Sequence, residues 1–422
     1  MHAPSLRFFD VVMLVISLVI GMGIFRAPAT VAERAGTPEV FYLAWIIGGC
    51  VAVCGALVFA EAGRRMPATG AYYRIFATAY HPLVAFAVNI IILVSNAASA
   101  AGVAIIGAEY VAHWLPSVHT SITATVMISA LYGLNLLGLR TSATVQNVLM
   151  GIKLAMLGCI IAALILVDPP SGGTVMGAST HAGGFWRSLG LALIPVSFTF
   201  GGYQSTINFG GEVKDGSRWL PRAIILGVII ITAIYLLANA AYVHVLGFDT
   251  LARSSSIAAM VVDRLFGPAG SDILSAVLVV SVFGYVNVAM LSNPRVMHAM
   301  SEDGVLPARL SARTTASGVQ QGSLLAFTLL SVFCVYVGES FEVILNYTIF
   351  IDAIGLAFGA ASIYRLGGGQ IRAATHIAAA VFVGSCVYTA VNIALFDTKA
   401  AAAGVALFAA IVLIGTRMIR NR

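Results

Sequence analysis

Apolar residues in this chain come in long runs. They do not follow the strict alternation of a half-buried strand or the single stripe of a soluble amphipathic helix. The runs predict membrane-spanning helices over about 10–34, 40–63, 82–113, 121–139, 142–167, 187–211, 222–246, 258–299, 322–338, 342–365, 372–394 and 400–418. A spanning helix needs about 20 apolar residues, so twelve spans with short connections fit the length. The third and eighth runs exceed that length, which predicts strong tilt or helical ends outside the lipid. The longest hydrophilic stretches, 168–186 and 300–321, are too short to build a core. The run from Leu6 to Ile20 resembles a leader. However, it continues through Gly21 to Pro28 into more apolar sequence without a small-residue cleavage site, so it reads as the first span.

Composition supports the same reading. Of 422 residues, 59% are hydrophobic and 9% charged, against roughly 25% charged in a soluble domain. The net charge of +6 would suggest nucleic acid in a soluble protein. Here the basic residues are scattered over short loops and set orientation instead. With the first residue inside, sixteen Lys and Arg fall on the cytoplasmic side, from Arg7, Arg64 and Arg65 to Arg420 and Arg422. Six fall outside (Arg26, Arg34, Arg187, Arg253, Arg264 and Lys399), and Lys153 stays within a span. Both termini are therefore expected in the cytoplasm, with a bacterial inner membrane as the setting. Cys50, Cys54, Cys159, Cys334 and Cys386 all lie in apolar runs and read as packing thiols.

Two weak points interrupt this pattern. Span 1 carries Gly21-Met22-Gly23 at mid-depth, and span 6 carries Pro195 followed by Gly201-Gly202. Glycine weakens a helix and proline removes a backbone donor. Span 1 runs outward and span 6 inward. Two five-helix halves of opposite topology, 10–167 and 187–365, would thus each begin with a broken helix, followed by two further helices over 372–418. This pattern predicts an all-α integral membrane protein of about twelve helices, a 5+5 inverted repeat with broken helices 1 and 6 and a central site.

Chemistry narrows the classes. His2, His81, His113, His119, His181, His244, His298 and His376 fall mainly at span ends and in loops, without a metalloprotease pair or a Ser-His-Asp arrangement. There is no phosphate-binding loop. A membrane-embedded enzyme and ATP drive are therefore disfavoured, and no cofactor or metal is called for. A channel or receptor has no need of paired broken helices with a lysine beside one of them.

Several strings, in order, resemble the APC (amino acid–polyamine–organocation) superfamily. They are Ile20-Gly21-Met22-Gly23-Ile24-Phe25; Ala60-Glu61 with Pro67, Gly70 and Tyr72-Tyr73; Val145-Gln146-Asn147 with Lys153; Phe198-Thr199-Phe200-Gly201-Gly202-Tyr203; Gly211-Glu212-Val213-Lys214 with Arg218 and Pro221-Arg222-Ala223; and Phe283-Gly284 with Asn287, Arg295, Met300, Asp303-Gly304 and Leu306-Pro307. Together they cover roughly residues 10–310 and look closest to the L-type amino-acid transporter branch and its bacterial relatives. The last two helices match in hydropathy alone. The resemblance implies the leucine-transporter-like fold and sodium-independent amino-acid transport by alternating access, as an exchanger or coupled to protons. A polyamine or amine transporter of the same fold is the alternative. A dication would call for intramembrane carboxylates, and Asp352 is the one strong candidate.

A zwitterionic amino acid leaving water needs donors for its carboxylate and acceptors for its ammonium. A broken helix offers both as backbone groups. The carboxylate is assigned to the amides around Met22, Gly23 and Ile24. By resemblance, the ammonium goes to carbonyls near Val19, Phe198, Thr199 and Gly201, and Phe200 resembles an aromatic gate. Met22 departs from the family, which usually carries Ser or Thr there, so a hydroxyl donor is lost. Lys153 is an intramembrane ammonium and hence a functional candidate. In similar transporters such a lysine sits beside the helix 1 break and helix 8, replacing a sodium ion. It would satisfy carbonyls freed near Gly21, with Ser281 as the expected helix 8 partner, and it leaves proton coupling open. Arg26 reads as a snorkelling or vestibule residue, and Asp352 as a packing acid beside Asn346 and Tyr347. Asn89, Asn96, Asn239, Tyr235 and Asn287 read as lining the pathway or bridging helices. Glu61 and Glu212 are candidates for ion pairs at inner helix ends. The expected partners are a small amino-acid substrate and the lipid bilayer, with no nucleic acid; the oligomeric state is not legible.

Overall fold

The computed structural model describes residues 6–112, 114, 117–169, 184–254, 257–312, 319–337, 341–396 and 398–420; residues 268, 271, 341–349, 396, 400 and 417–420 are described by their backbone alone. The described elements are helical, apart from two isolated β-bridges. In chain order the α-helices are α1 (Phe8–Val19), α2 (Gly23–Ala35), α3 (Pro38–Arg65), α4 (Ala71–Ala79), α5 (Pro82–Ala112), α6 (Thr120–Leu136), α7 (Leu139–Leu166), α8 (Gly184–Thr199), α9 (Gly216–Leu246), α10 (Phe248–Arg253), α11 (Ile257–Phe266), α12 (Gly270–Glu302), α13 (Gln321–Tyr336), α14 (Phe341–Ala361), α15 (Ala373–Phe396) and α16 (Thr398–Arg420).

Among the described residues six helices are long and apolar enough to cross a membrane. They comprise α3, α5, α7, α9, and the stretches Asp272–Glu302 and Ala373–Leu395. The pair α1 and α2 is also long and apolar enough when taken together, bent by 43° at its break, and counts as a seventh if it is one span. Shorter apolar helices lie at Thr120–Leu136, Gln321–Tyr336, Phe350–Tyr364 and Ala401–Thr416.

Two predicted spans are divided. The sixth ends as an α-helix at Thr199 and continues as 3-10 turns over Tyr203–Asn208 and Gly210–Glu212. The break falls at Phe200–Gly202, one turn beyond Pro195, which lies inside α8. The carbonyl that a proline leaves without its helical donor is four residues back, at Leu191. The guanidinium of Arg34, from the last turn of α2, reaches that oxygen at 3.4 Å. The eighth predicted span becomes α11, a 3-10 turn over Gly267–Ala269, and α12. Gly267 has φ 61° and Pro268 follows it, a pair that stops one helix and starts the next. The short helices α4 and α10, hidden between apolar runs, were not predicted.

The two broken segments share one core. α1 packs on α7 and α9, α2 on α8, and α3 on both α8 and α9. Small residues on α3 make this possible: a Cβ at Gly48 would lie 2.2 Å from Val196 and one at Gly49 2.5 Å from Thr232. The breaks themselves meet at Gly202. Its φ is 117°, and a Cβ there would lie 2.1 Å from the Leu18 carbonyl oxygen.

At the end where α1 begins, here called basal, the same segments are tied again. Leu6 pairs in parallel with Val213, and Thr69 in antiparallel with Phe209. The amide of Gly70 donates to the Asn208 carbonyl at 2.9 Å, and that of Tyr72 to its side-chain oxygen at 2.9 Å. Glu212 pairs with Arg295 of α12 at 2.6 Å, and Arg74 with Glu302 at 2.7 Å. Arg65 joins Glu61 at 2.6 Å and also donates to the Leu366, Gly367 and Gly369 carbonyls.

Gly202→Ala should therefore be strongly destabilising. The backbone strain alone is of order 1–3 kcal/mol, and the contact is with main chain that cannot swing aside. Gly158, where a Cβ meets nothing within 4 Å, is the control. Thermal unfolding of the purified protein in detergent should show a lower midpoint for Gly202→Ala and one that is not lowered for Gly158→Ala, which gains helix propensity within α7.

Candidate functional site

The site forms where α1 gives way to α2 and α8 gives way to the turn after it. At the first break, the Gly21 amide folds back onto the Val19 carbonyl at 2.8 Å, and Phe25 opens the next helix by donating to Met22 at 3.2 Å. The amides of Met22, Gly23 and Ile24 have no hydrogen-bond acceptor among the described residues. They are the first donors of α2, which the geometry of any helix leaves unpaired. At the second break, Gly201 donates to the Phe198 carbonyl at 3.1 Å and Phe200 to Val196 at 3.1 Å. The Gly202 amide is held by the Gln204 side chain at 2.9 Å. A Cβ at Gly23 would lie 3.1 Å from the Thr199 methyl, so the start of α2 faces the end of α8.

Tyr235 of α9 joins the two breaks. Its hydroxyl lies 3.3 Å from the Val19 carbonyl oxygen and 3.4 Å from that of Thr199, and the side chain is fully buried. Trp45 packs edge-on against Tyr235 at 5.9 Å, and Phe200 lies 5.1 Å from Tyr235 and 6.1 Å from Trp45. Phe200 is thus buried in an aromatic group with α3 and α9, whereas the Phe198 side chain is 62% exposed. Tyr285 of α12 approaches Gly21 from the other side, 3.6 Å from where a Cβ would stand.

Lys153 reaches neither end of its helix. It is 1% exposed, and its Nζ donates to the Ile20 carbonyl at 2.7 Å. That oxygen belongs to the helix 1 break, one residue from Gly21. The structure does not pair the ammonium with Ser281, whose buried hydroxyl has no hydrogen-bond partner among the described residues. The approach to α12 is at Gly284, where a Cβ would lie 3.9 Å from Nζ and 3.8 Å from the Gln146 amide nitrogen. Ser281 stands nearly a turn before Gly284 on α12.

From Gly284 a buried chain of amides runs toward the basal end. Gln146 donates to the Gly284 carbonyl at 3.0 Å. Asn287 donates to Gln146 Oε1 at 2.7 Å and accepts from Asn135 Nδ2 at 2.8 Å. Asn135 also donates to Leu131 at 2.8 Å. Asn135 and Ser142 line a small cavity with the Glu212–Arg295 pair and Gln320. Asn287 is therefore a bridge between α6, α7 and α12. Asn96 bridges as well, donating to Asn293 at 2.7 Å, whereas Asn89 and Asn239 donate to carbonyls of their own helices.

Arg26 is exposed on the α2 side of the break. Asp352 of α14 is held by the Ser95 hydroxyl, and one of its oxygens is enclosed without a partner among the described residues. The side chains of Asn346 and Tyr347, its expected neighbours, lie outside the described residues. No group of three or more metal-ligating side chains occurs among the described residues.

This arrangement agrees with the comparisons to known proteins. A family model for amino acid permeases matches residues 6–417. The chain belongs to the amino acid permease family. Such permeases are multi-pass membrane transporters, not enzymes. The chain is 30% identical over 308 residues to the serine/threonine exchanger SteT of Bacillus subtilis, covering 70% of this chain and 67% of that protein. It is 27% identical over 363 residues to the human large neutral amino acids transporter small subunit 2, covering 80% of this chain and 65% of the relative. To the mouse Asc-type amino acid transporter 1 it is 25% identical over 351 residues, 80% of this chain and 66% of the relative. The chain thus spans about two thirds of the length of these relatives.

Within this permease, sequence reasoning missed Asn135 and Tyr285 and left the role of Tyr235 open. Asn135 is a lone polar residue near the end of an apolar run, a signal too weak to single out. Asn287→Leu should leave one proton of the Asn135 amide and the Gln146 oxygen without partners, and each buried loss costs about 1–3 kcal/mol. Thermal melts should show marked destabilisation. The double change Asn135→Leu/Asn287→Leu should recover part of it, because the α6 amide no longer lacks an acceptor. A cycle with additive effects would mean that the two side chains do not interact.

Proposed function

We propose that this permease carries neutral α-amino acids across a membrane by alternating access, without sodium, as an exchanger or with proton coupling. The observation that carries the proposal is the pairing of the two helix breaks. Three unpaired amides at Met22–Ile24 face carbonyl-bearing backbone at Thr199–Gly201. A carboxylate seats on the amides, where the helix dipole also favours it. The ammonium seats on the carbonyl oxygens near Val19, Thr199 and Gly201. Phe198 contributes only its carbonyl, which keeps one lone pair beyond the bond from Gly201. Met22, Ile24, Phe200 and Tyr285 present uncharged walls, which suits neutral side chains. The names of the relatives, a serine/threonine exchanger and a large neutral amino acids transporter, support the same class.

In this reading the chain forms twelve spans. Residues 10–167 and 187–365 are inverted repeats and 372–418 adds two helices. Both ends face the cytoplasm of a bacterial cell, so the basal end is the inner gate. Phe200 covers the substrate when the outer path closes, and Arg26 stands in the outer vestibule. Lys153 occupies the place of a coupling cation. It ties the helix 1 break to α7 and α12, with Ser281 in reserve on the same face of α12.

The test is counterflow in proteoliposomes. Uptake should be saturable and stereoselective, and an amino acid should compete far better than the amine left by its decarboxylation. Equal competition would instead favour an amine transporter.

Sodium replaced by choline should leave uptake unchanged, because a second cation a few ångströms from a buried ammonium is strongly repelled. Lys153→Ala should impair turnover more than equilibrium binding. The Ile20 carbonyl loses its donor, and the loss falls unequally on the two access states, while the Met22–Ile24 amides remain. Lys153→Arg should not restore turnover, since a planar head presents different geometry. Wild-type flux in the alanine variant would remove Lys153 from the mechanism.

A further inference from the structure

The surface where α1 and α9 begin is built differently from the other helix ends. Leu6 and Val213 are bridged, with Leu6 N donating to the Glu212 carbonyl at 3.1 Å and Lys214 N to the Leu6 carbonyl at 3.5 Å. The bridge sets Arg7 and Lys214, the next residues along each strand, at one edge. On the first turns of α9, Arg218 and Arg222 both lie over the ring of Trp219, with guanidinium carbons 4.8 Å and 5.1 Å from its centroid. Phe8 packs against the same ring, with centroids 5.4 Å apart and planes tilted by 58°. Arg7, Lys214, Arg218 and Arg222 are all exposed, and none has an ion-pair partner among the described residues. Two of the nearby acids are engaged elsewhere. Asp10 accepts from the Arg7 amide and from Asn147, and Glu212 pairs with Arg295. Asp215 is the one remaining carboxylate beside the four cations.

The cations also stand in line with apolar surface. Arg218, Arg222, Leu226, Ile229, Ala233 and Leu237 are all exposed and follow one another at steps of three or four, which is one face of α9. Positive charge, an aromatic belt residue and an exposed apolar stripe thus succeed each other along one helix face. A soluble phosphate would need only the first. A phospholipid needs all three: charge for the headgroup, an amphipathic ring at the interface, and apolar surface for the acyl chain.

We propose that this surface is a binding site for an anionic phospholipid, with its phosphate on Arg218 and Arg222, its headgroup reaching Arg7 and Lys214, and a chain along Leu226 and Ile229. The site spans the Leu6–Val213 bridge and so joins the start of the first broken helix to the segment that follows the second. A headgroup that needs both sides favours the state in which the basal end is assembled.

Tryptophan quenching tests this with the full-length protein reconstituted in phosphatidylcholine vesicles. Dibrominated phosphatidylglycerol should quench more than dibrominated phosphatidylcholine at equal mole fraction, and Trp219→Phe should remove the difference. Arg218→Gln/Arg222→Gln should weaken the preference for phosphatidylglycerol roughly tenfold or more, and Arg253→Gln, on α10, should leave it intact. Raised salt should reduce the preference. Inorganic phosphate at millimolar concentration should not compete. A wild-type preference in the double arginine variant would overturn the proposal. So would full competition by phosphate, which would reassign the site to a soluble anion.

Discussion

A helix interrupted inside lipid leaves backbone amides and carbonyls with no water to satisfy them, and each such group costs free energy unless a partner is brought to it. Much of this structure can be understood as the answer to that constraint. The amides of Met22, Gly23 and Ile24 remain open on the side where the two breaks meet. The Ile20 carbonyl is met by Lys153 from α7, and the single hydroxyl proton of Tyr235, from α9, serves one of the Val19 and Thr199 carbonyls at a time. Even the carbonyl released by Pro195 has a donor, in Arg34 of α2. Donors from the surrounding helices thus satisfy several broken carbonyls, and a row of amides at the start of α2 is kept free.

The supporting helices carry polarity of their own. α7 presents Ser142, Gln146 and Lys153 on one buried face, the first two toward Gly138 and Gly284 and the third toward Ile20. Asn287 extends that face to α6. The helices around the site are therefore held by directional bonds as well as by packing. Directional bonds specify a register that apolar contacts between lipid-solvated helices would specify less sharply. The basal ion pairs do similar work at a polar boundary: Arg65–Glu61 and Arg295–Glu212 are mostly shielded from solvent, whereas Arg74–Glu302 is more exposed and correspondingly weak.

Much of this was legible in the sequence, and the limits are physical. Gly21-Met22-Gly23 marked the first break because two glycines in an apolar run have no packing reason as simple as a hinge. Lys153 was legible because a lone ammonium in a span must find a partner, here the Ile20 carbonyl. Pro195 and Gly201-Gly202 read together as the second break, and the helix gives way at the glycines rather than at the proline. A proline is tolerated when a distant group supplies the missing donor, and Arg34 stands 157 positions away. Tyr235 reaches Val19 across 216 positions, so its role could not be read locally. The division of the eighth span was written in Gly267-Pro268 but masked by the apolar residues on both sides.

Recognition through main-chain groups has a consequence for how such a permease can change over generations. A point mutation replaces a side chain; short of proline it leaves the amide of residue 23 in place, and no substitution deletes the carbonyl of residue 199. On the proposed seating, the features common to all α-amino acids are read by atoms that nearly every mutation leaves in place. In the same proposal those that distinguish one amino acid from another are read by Met22, Ile24, Phe200 and Tyr285, each replaceable singly. Selectivity is free to drift while the capacity to hold the zwitterion is inherited unchanged.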